Sequence, residues 1–217
     1  MRKVPFINNE FYHVYNRGVD KRDIFSNQYD VERFFQSMNE FNVIEPIGSI
    51  YENSFRGSQL GGSTSKLVNF IAYCLNSNHY HFLLEQAHDK GIEKFMHKLS
   101  TGYTRYFNDK NKRSGALFQG RFKSTHIDSN EYLLHVSAYI NLNDRIHQLS
   151  GSTTKLLVKS SLGEYMNIYP SQDFCKKDMI LGQFNTVDEY KIFAEETMEG
   201  IVEKRKEDKK LEEIFGE

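Results

Sequence analysis

With 217 residues, 39% hydrophobic content and a formal net charge of -1, the chain can build one domain with a real core, and its bulk charge neither recruits nor repels a polyanion. Its two cysteines, Cys74 and Cys175, lie outside any metal-type spacing, which excludes a disulfide framework or zinc knuckle and suits reduced, buried thiols. No apolar stretch approaches the ~20 residues of a membrane span, and residues 1–6 lack a secretory segment, so a soluble, cytoplasmic protein without a membrane partner is expected.

Charge is unevenly distributed. Between residues 94 and 125 eight Lys/Arg face the single acid Asp109, a local net charge of +7, whereas residues 188–217 carry -5. A basic, aromatic-laced centre with an acidic end fits a polyanion site better than the average composition does.

In chain order, residues 11–18 predict a first strand closed by turn chemistry at Gly18 and Asp20. Alternation puts Tyr12, Val14 and Asn16 on one face and His13, Tyr15 and Arg17 on the other. Arg17, at the strand end, meets a phosphate or is a surface arginine at a turn. Residues 27–42 show the helical spacing of Tyr29, Val31, Phe34, Phe35, Met38 and Phe41 behind a cap at Ser26 or Asn27, which is a core stripe. The Gly- and Ser-rich stretch 47–65 predicts a loop.

Residues 66–86 predict a hairpin bent at Asn76-Ser77-Asn78, with His79 and His81 just past the bend. Being two apart on a strand, the two imidazoles share a face and can chelate one ion, while Tyr80 and Phe82 face the other way. A His-x-His pair alone is a weak signal, and the apolar residues on both sides strengthen it by embedding the pair in a sheet. An amphipathic helix follows over 92–107, with Lys94, Lys98 and Arg105 among its polar positions.

Residues 117–127 predict another strand, in which Arg121 and Lys123 alternate with Phe122. Residues 128–144 predict a helix capped near Asp128 to Asn130, on which Tyr139 and Asn143 point the same way. A Ser/Thr-rich stretch at 150–161 and a helix over 188–197 precede a charged end, expected as a solvated helix or a frayed tail. Strands interleaved with helices and joined partly by a hairpin suggest an α+β fold, an antiparallel ferredoxin-like sheet with helices on one face. The expected organisation is a domain over 1–147 and a helical extension with a charged tail over 148–217.

The segments His13-Val14-Tyr15-Asn16-Arg17-Gly18, Tyr73-Cys74-Leu75-Asn76-Ser77-Asn78-His79-Tyr80-His81-Phe82-Leu83-Leu84, Gly115-Ala116-Leu117-Phe118-Gln119-Gly120-Arg121-Phe122-Lys123 and Tyr139-Ile140-Asn141-Leu142-Asn143 together resemble the single-tyrosine HUH transposases, most nearly the REP-associated tyrosine transposases. The resemblance covers residues 5–147 in consistent order. It implies the HUH endonuclease fold and an enzyme that nicks and rejoins single-stranded DNA beside hairpin elements, through a 5′-phosphotyrosine intermediate. His79 and His81 match the metal-binding histidines, Asn143 the polar third ligand and Tyr139 the nucleophile, with Mg²⁺ or Mn²⁺ as the implied ion. Arg17, Arg105, Arg121 and Lys123 are the candidate nucleic-acid contacts, and Tyr103, Tyr106 or Phe118 stack on bases or serve the core.

Two positions depart from the family pattern. Ser77 stands where a proline is usual, which loosens a turn, and Asp144 stands where a proline commonly follows the third ligand, which lets the helix run on. The resemblance leaves both a monomer and a homodimer open. The other functional readings are a domesticated nucleic-acid-binding protein of the same fold without strand transfer, and a metal-dependent phosphoesterase with no covalent step.

Overall fold

A computed structural model describes residues 5–45, 47, 50, 65–148, 157–168 and 174–215. Most of the predicted Gly/Ser-rich loop falls outside them. Strands β1 (Phe11–Arg17), β2 (Val68–Asn76), β3 (His79–Gln86), β4 (Lys123–Ile127) and β5 (Lys159–Ser160) form one antiparallel sheet in the order β4-β1-β3-β2-β5. Ser77 and Asn78 form the bend between β2 and β3, as the turn chemistry predicts.

Register does the positioning. Tyr15 lies opposite His81 and Arg17 opposite His79 on β1 and β3; Cys74 faces His81 and Asn76 faces His79 on β2 and β3; Tyr15 also faces Lys123 on β4. Directly opposed residues share a face. One face therefore presents His13, Tyr15, Arg17, Cys74, Asn76, His79, His81 and Lys123 together.

The other face is closed by α1 (Gln28–Glu40) and α2 (Gly91–Lys110). Helix α1 starts where the Asn27 side chain accepts the amide of Asp30 at 3.2 Å, and its Val31, Phe34 and Met38 are fully buried. They meet Ile92, Phe95, Leu99 and Tyr103 of α2 over Val14, Tyr80, Phe82 and Leu84 of the sheet. Phe34 and Tyr103 meet edge to face, with ring centroids 4.7 Å apart.

Helices cover both faces of the sheet, where the sequence predicts one. Ile71, Ala72, Cys74 and Leu83 pack under α3 (Asn130–Asn141), together with Tyr190 and Ala194 of α7 (Val187–Phe215). The cause is legible in Phe82-Leu83-Leu84: a strand apolar at both parities needs two covers. Between them, α4 (Asn143–Gln148), α5 (Leu162–Tyr165) and α6 (Asp178–Leu181) carry the chain back to β2. There Ser161 accepts the amide of Tyr73 at 2.9 Å and donates to Asn141 at 2.5 Å.

Three boundaries differ from expectation. The helix over 128–144 does not run on: it ends at Asn141, Leu142 leaves helical geometry (φ -109, ψ 13), and α4 begins at Asn143. The side chain of Asn141, engaged by Ser161 and by the Tyr190 hydroxyl at 2.8 Å, and that of Asn143, engaged by the sheet, hold tertiary partners on either side of the break. Residues 117–122 form a loop rather than the start of a strand, touching β1 through a Gly18 to Phe118 bridge and turning at Gly120, whose φ of +68 suits glycine. The last helix continues past 197 to Phe215, so the charged end takes the helical rather than the frayed alternative.

Phe34 touches both α2 and the sheet, so Phe34→Ala is expected to destabilise the fold by about 3–5 kcal/mol, read from chemical denaturation. A loss under about 1 kcal/mol would show that this contact does not hold the layer.

Candidate functional site

The shared face of the sheet is apolar where α3 crosses it and polar beyond. His81 is buried at the margin, between the ring of Tyr15 (centroids 5.5 Å, stacked) and that of His13 (5.1 Å). Its Nδ1 lies 2.8 Å from His13 Nε2. His79, one pleat along, is half-buried, with its ring 5.2 Å from that of His81 and nearly perpendicular to it.

Tyr139 comes down onto this pair from α3. Its ring meets His81 edge-on at 5.5 Å and His13 at 5.9 Å. Neighbouring Ala138 and Ile140 are buried and leave Tyr139 half-exposed at the border between apolar and polar ground. The break at Leu142 then delivers Asn143, fully buried, with its Oδ1 3.2 Å from His79 Nε2. The sheet thus brings His79, His81, Tyr139 and Asn143 together: the two histidines share a face as their spacing anticipates, while Tyr139 and Asn143 arrive from either side of the helix break.

A network of amides orients His79. Asn78 donates from Nδ2 to the carbonyl of Lys21 at 3.1 Å, which turns its Oδ1 toward His79 Nδ1 at 2.6 Å. An oxygen there can only accept, so Nδ1 carries the hydrogen, and Nε2 of the neutral ring carries a lone pair. Nε2 receives a hydrogen bond from Asn76 Nδ2 at 3.0 Å.

Two imidazole nitrogens and one amide oxygen are neutral donors that suit a divalent ion keeping further positions for phosphate oxygens. Among the described residues no three His, Cys, Asp or Glu side chains cluster as a metal site; the described groups that could hold an ion here are the two histidines and the carboxamide of Asn143. Asn143 Nδ2, buried, has no hydrogen-bond partner, and the side chain is held through its oxygen alone.

The basic residues separate. Arg17 and Lys123 stand exposed on the histidine face, and Arg121 is exposed just before β4. Arg17 donates to Gln119 Oε1 at 2.5 Å, and Gly18 lies so close to the carbonyl of Arg22 that a Cβ would sit 2.1 Å from it. Arg105, by contrast, is exposed on α2, in the layer across the sheet, and is not brought to the site. Most of the +7 segment shares that fate: Lys110 pairs with buried Asp30, and Lys98 donates to the carbonyl of Val43. Tyr103 and Phe118 belong to the core, and Tyr106 bonds Asp30.

Sequence reasoning assigned no role to His13, Asn76 or Asn78. The alternation of β1 already puts His13 on the face of Tyr15 and Arg17, and that was the available signal. Asn76 and Asn78 carry only a turn signature in the sequence, and their amide contacts need the register to be seen.

Burial lowers the His13 pKa from 6.5 to about 4. The imidazole is neutral at pH 7 and able to accept from, or donate to, His81. Unfolding releases it to its ordinary value, so its contribution to stability is intact above pH 6.5 and declines as pH falls from 6.5 to about 4. An imidazole NMR titration is expected to place its midpoint below pH 5; a midpoint near 6.5 would contradict the burial.

Residues 54–143 match the family model described as IS200-like transposase. No curated protein matches the chain. Among solved structures, a REP-associated tyrosine transposase bound to a REP hairpin is similar at 12% identity, over 77% of this chain and 84% of that chain, with a TM-score of 0.48. The matched segment of the family contains His79, His81, Tyr139 and Asn143 and begins downstream of His13 and Arg17.

Proposed function

We propose that this chain, whose residues 54–143 match the IS200-like transposase family model, nicks and rejoins single-stranded DNA next to hairpin-forming elements with Tyr139 as the attacking group. The observation that carries the reading is the position of Tyr139, its ring 5.5 Å from that of His81 on the face where His79 and Asn143 meet. Core tyrosines are common, but this one stands half-exposed beside paired imidazoles, over a sheet face that also carries two exposed cations, Arg17 and Lys123.

The phenolic oxygen of Tyr139 attacks phosphorus in line. The new Oη–P bond forms as the P–O3′ bond breaks, the phenolic proton is released, and the departing 3′ oxygen takes up a proton to become a free hydroxyl. The phosphotyrosine left on the 5′ end keeps the bond energy for rejoining, which is the same step in reverse. His79, His81 and Asn143 Oδ1 would hold a Mg²⁺ or Mn²⁺ ion, which when bound supplies Lewis-acid polarisation of the scissile phosphate. Arg17, Arg121 and Lys123 hold flanking phosphates and align the strand, a contribution that weakens as salt rises. His13, neutral and bonded to His81, fixes that ring in place.

The test uses labelled single-stranded oligonucleotides carrying hairpins from the gene's own flanks, incubated with Mg²⁺ or Mn²⁺ and run on denaturing gels. A covalent protein–DNA species is expected with the native chain, absent in Tyr139→Phe and strongly reduced in His79→Ala. Cleavage that persists in Tyr139→Phe would instead identify a phosphoesterase. Tight binding without cleavage would identify a binding module.

A further inference from the structure

Two stretches far apart in sequence are clasped together at the end of β1. The amide of Val19 donates to the carbonyl of Leu117 at 3.0 Å and that of Gln119 to the carbonyl of Arg17 at 2.8 Å, on either side of the Gly18 to Phe118 bridge. Buried Asn16 completes the clasp: its Nδ2 donates to the carbonyl of Gly120 at 3.2 Å, and its Oδ1 accepts the amide of Arg17 at 2.9 Å. Phe118 anchors the loop in the core. Main-chain bonds and a buried ring therefore set where Gln119 stands, although its own side chain is exposed.

That side chain meets Arg17. Its Oε1 accepts the hydrogen of Arg17 Nε at 2.5 Å. The bond takes one end of the guanidinium fork and leaves Nη1 and Nη2 as a planar pair of donors, a geometry that matches two oxygens of one phosphate. Among the described residues Arg17 has no ion-pair partner, whereas nearby Arg22 pairs with Asp20. The residue type at 119 matters for the same reason. A carboxylate there would hold Arg17 and cancel its charge; a carboxamide holds it and leaves the whole charge for an anion. In the register Arg17 lies opposite His79, so that charge is kept beside a candidate metal ligand.

An exposed arginine loses rotamer freedom when it grips a ligand, and one already held in place loses less. We infer that Gln119 is a positioning residue for Arg17: it presets the guanidinium so that Nη1 and Nη2 take one phosphate of the strand lying over the histidines. The inference rests on the reading of this sheet face as a single-stranded DNA site.

The experiment is fluorescence anisotropy of the purified full chain with two labelled probes, an oligonucleotide carrying a hairpin from the gene's own flanks and oligothymidylate, each over a range of salt. Gln119→Leu is expected to weaken binding of both probes roughly 3- to 10-fold, the scale of one lost hydrogen bond. Its slope of log affinity against log salt stays that of the native chain, because Arg17 keeps its charge. Arg17→Leu is expected to weaken binding further and to reduce that slope by about 1. Gln119→Glu keeps the bond to Nε but neutralises the pair, so it too lowers the slope. The double variant is expected to bind no more weakly than Arg17→Leu alone, since Gln119 acts only through the arginine. In NMR spectra the Arg17 Nε–Hε resonance broadens in Gln119→Leu and persists in Gln119→Glu, a signature that a merely structural role would not produce. Native-like binding by Gln119→Leu, or losses that add in the double variant, would overturn the inference and leave the DNA face standing. A loss that spares oligothymidylate and follows base sequence would overturn the phosphate assignment. Native-like binding by Arg17→Leu would remove the arginine from the site and the inference with it. A native chain that binds neither probe would remove the reading of the face itself.

Discussion

The antiparallel register of β1, β3 and β2 is the constraint on which the site depends. It aligns Tyr15, His81 and Cys74 in one row across the sheet and Arg17, His79 and Asn76 in the next. Because side chains alternate with a period of two, a slip of one residue on any of these strands would turn its polar members into the apolar layer under α1 and α2. That layer resists such a slip. Tyr80, Phe82 and Val14, which interleave with the polar residues in sequence, are fully buried among the aromatics of the helices. The hydrophobic face thus fixes the address of every polar group on the opposite one.

A second device works along α3. A continuous helix would keep Tyr139 and Asn143 on one stripe a turn apart. The break at Leu142 changes this by letting Asn143 enter the sheet face and bond at the turn of the β2–β3 hairpin, while Tyr139 stays above His81. Asn141 anchors the same break from the other side through Ser161 and Tyr190. Chain beyond residue 148 thereby supports the geometry of the site.

Much of this was legible in the sequence because it depends on local period and turn chemistry. The His79/His81 pair, the hairpin bend and the stripes of α1 and α2 follow from spacing, whereas a tyrosine beside the histidines was implied by the resemblance. What was not legible depends on pairings distant in sequence. His13 meets His81 across 68 positions, and Ser161 meets Tyr73 across 88. The +7 segment divides for a related reason: charge counted along the chain ignores that α2 covers one face of the sheet while Lys123 of β4 stands on the other. The strand expected from residue 117 failed because Gly120 turns the chain before pairing begins, and the helix expected to run through 144 failed because tertiary amide bonds outweigh helical continuity.

The short strand β5 and the Ser161 contact have a consequence for how these side chains are brought together. They hold the end of α3 to β2 of the same chain, so the tyrosine and the histidines face one another within a single molecule. An encounter arranged this way has an effective concentration set by the fold, independent of how much protein a cell contains.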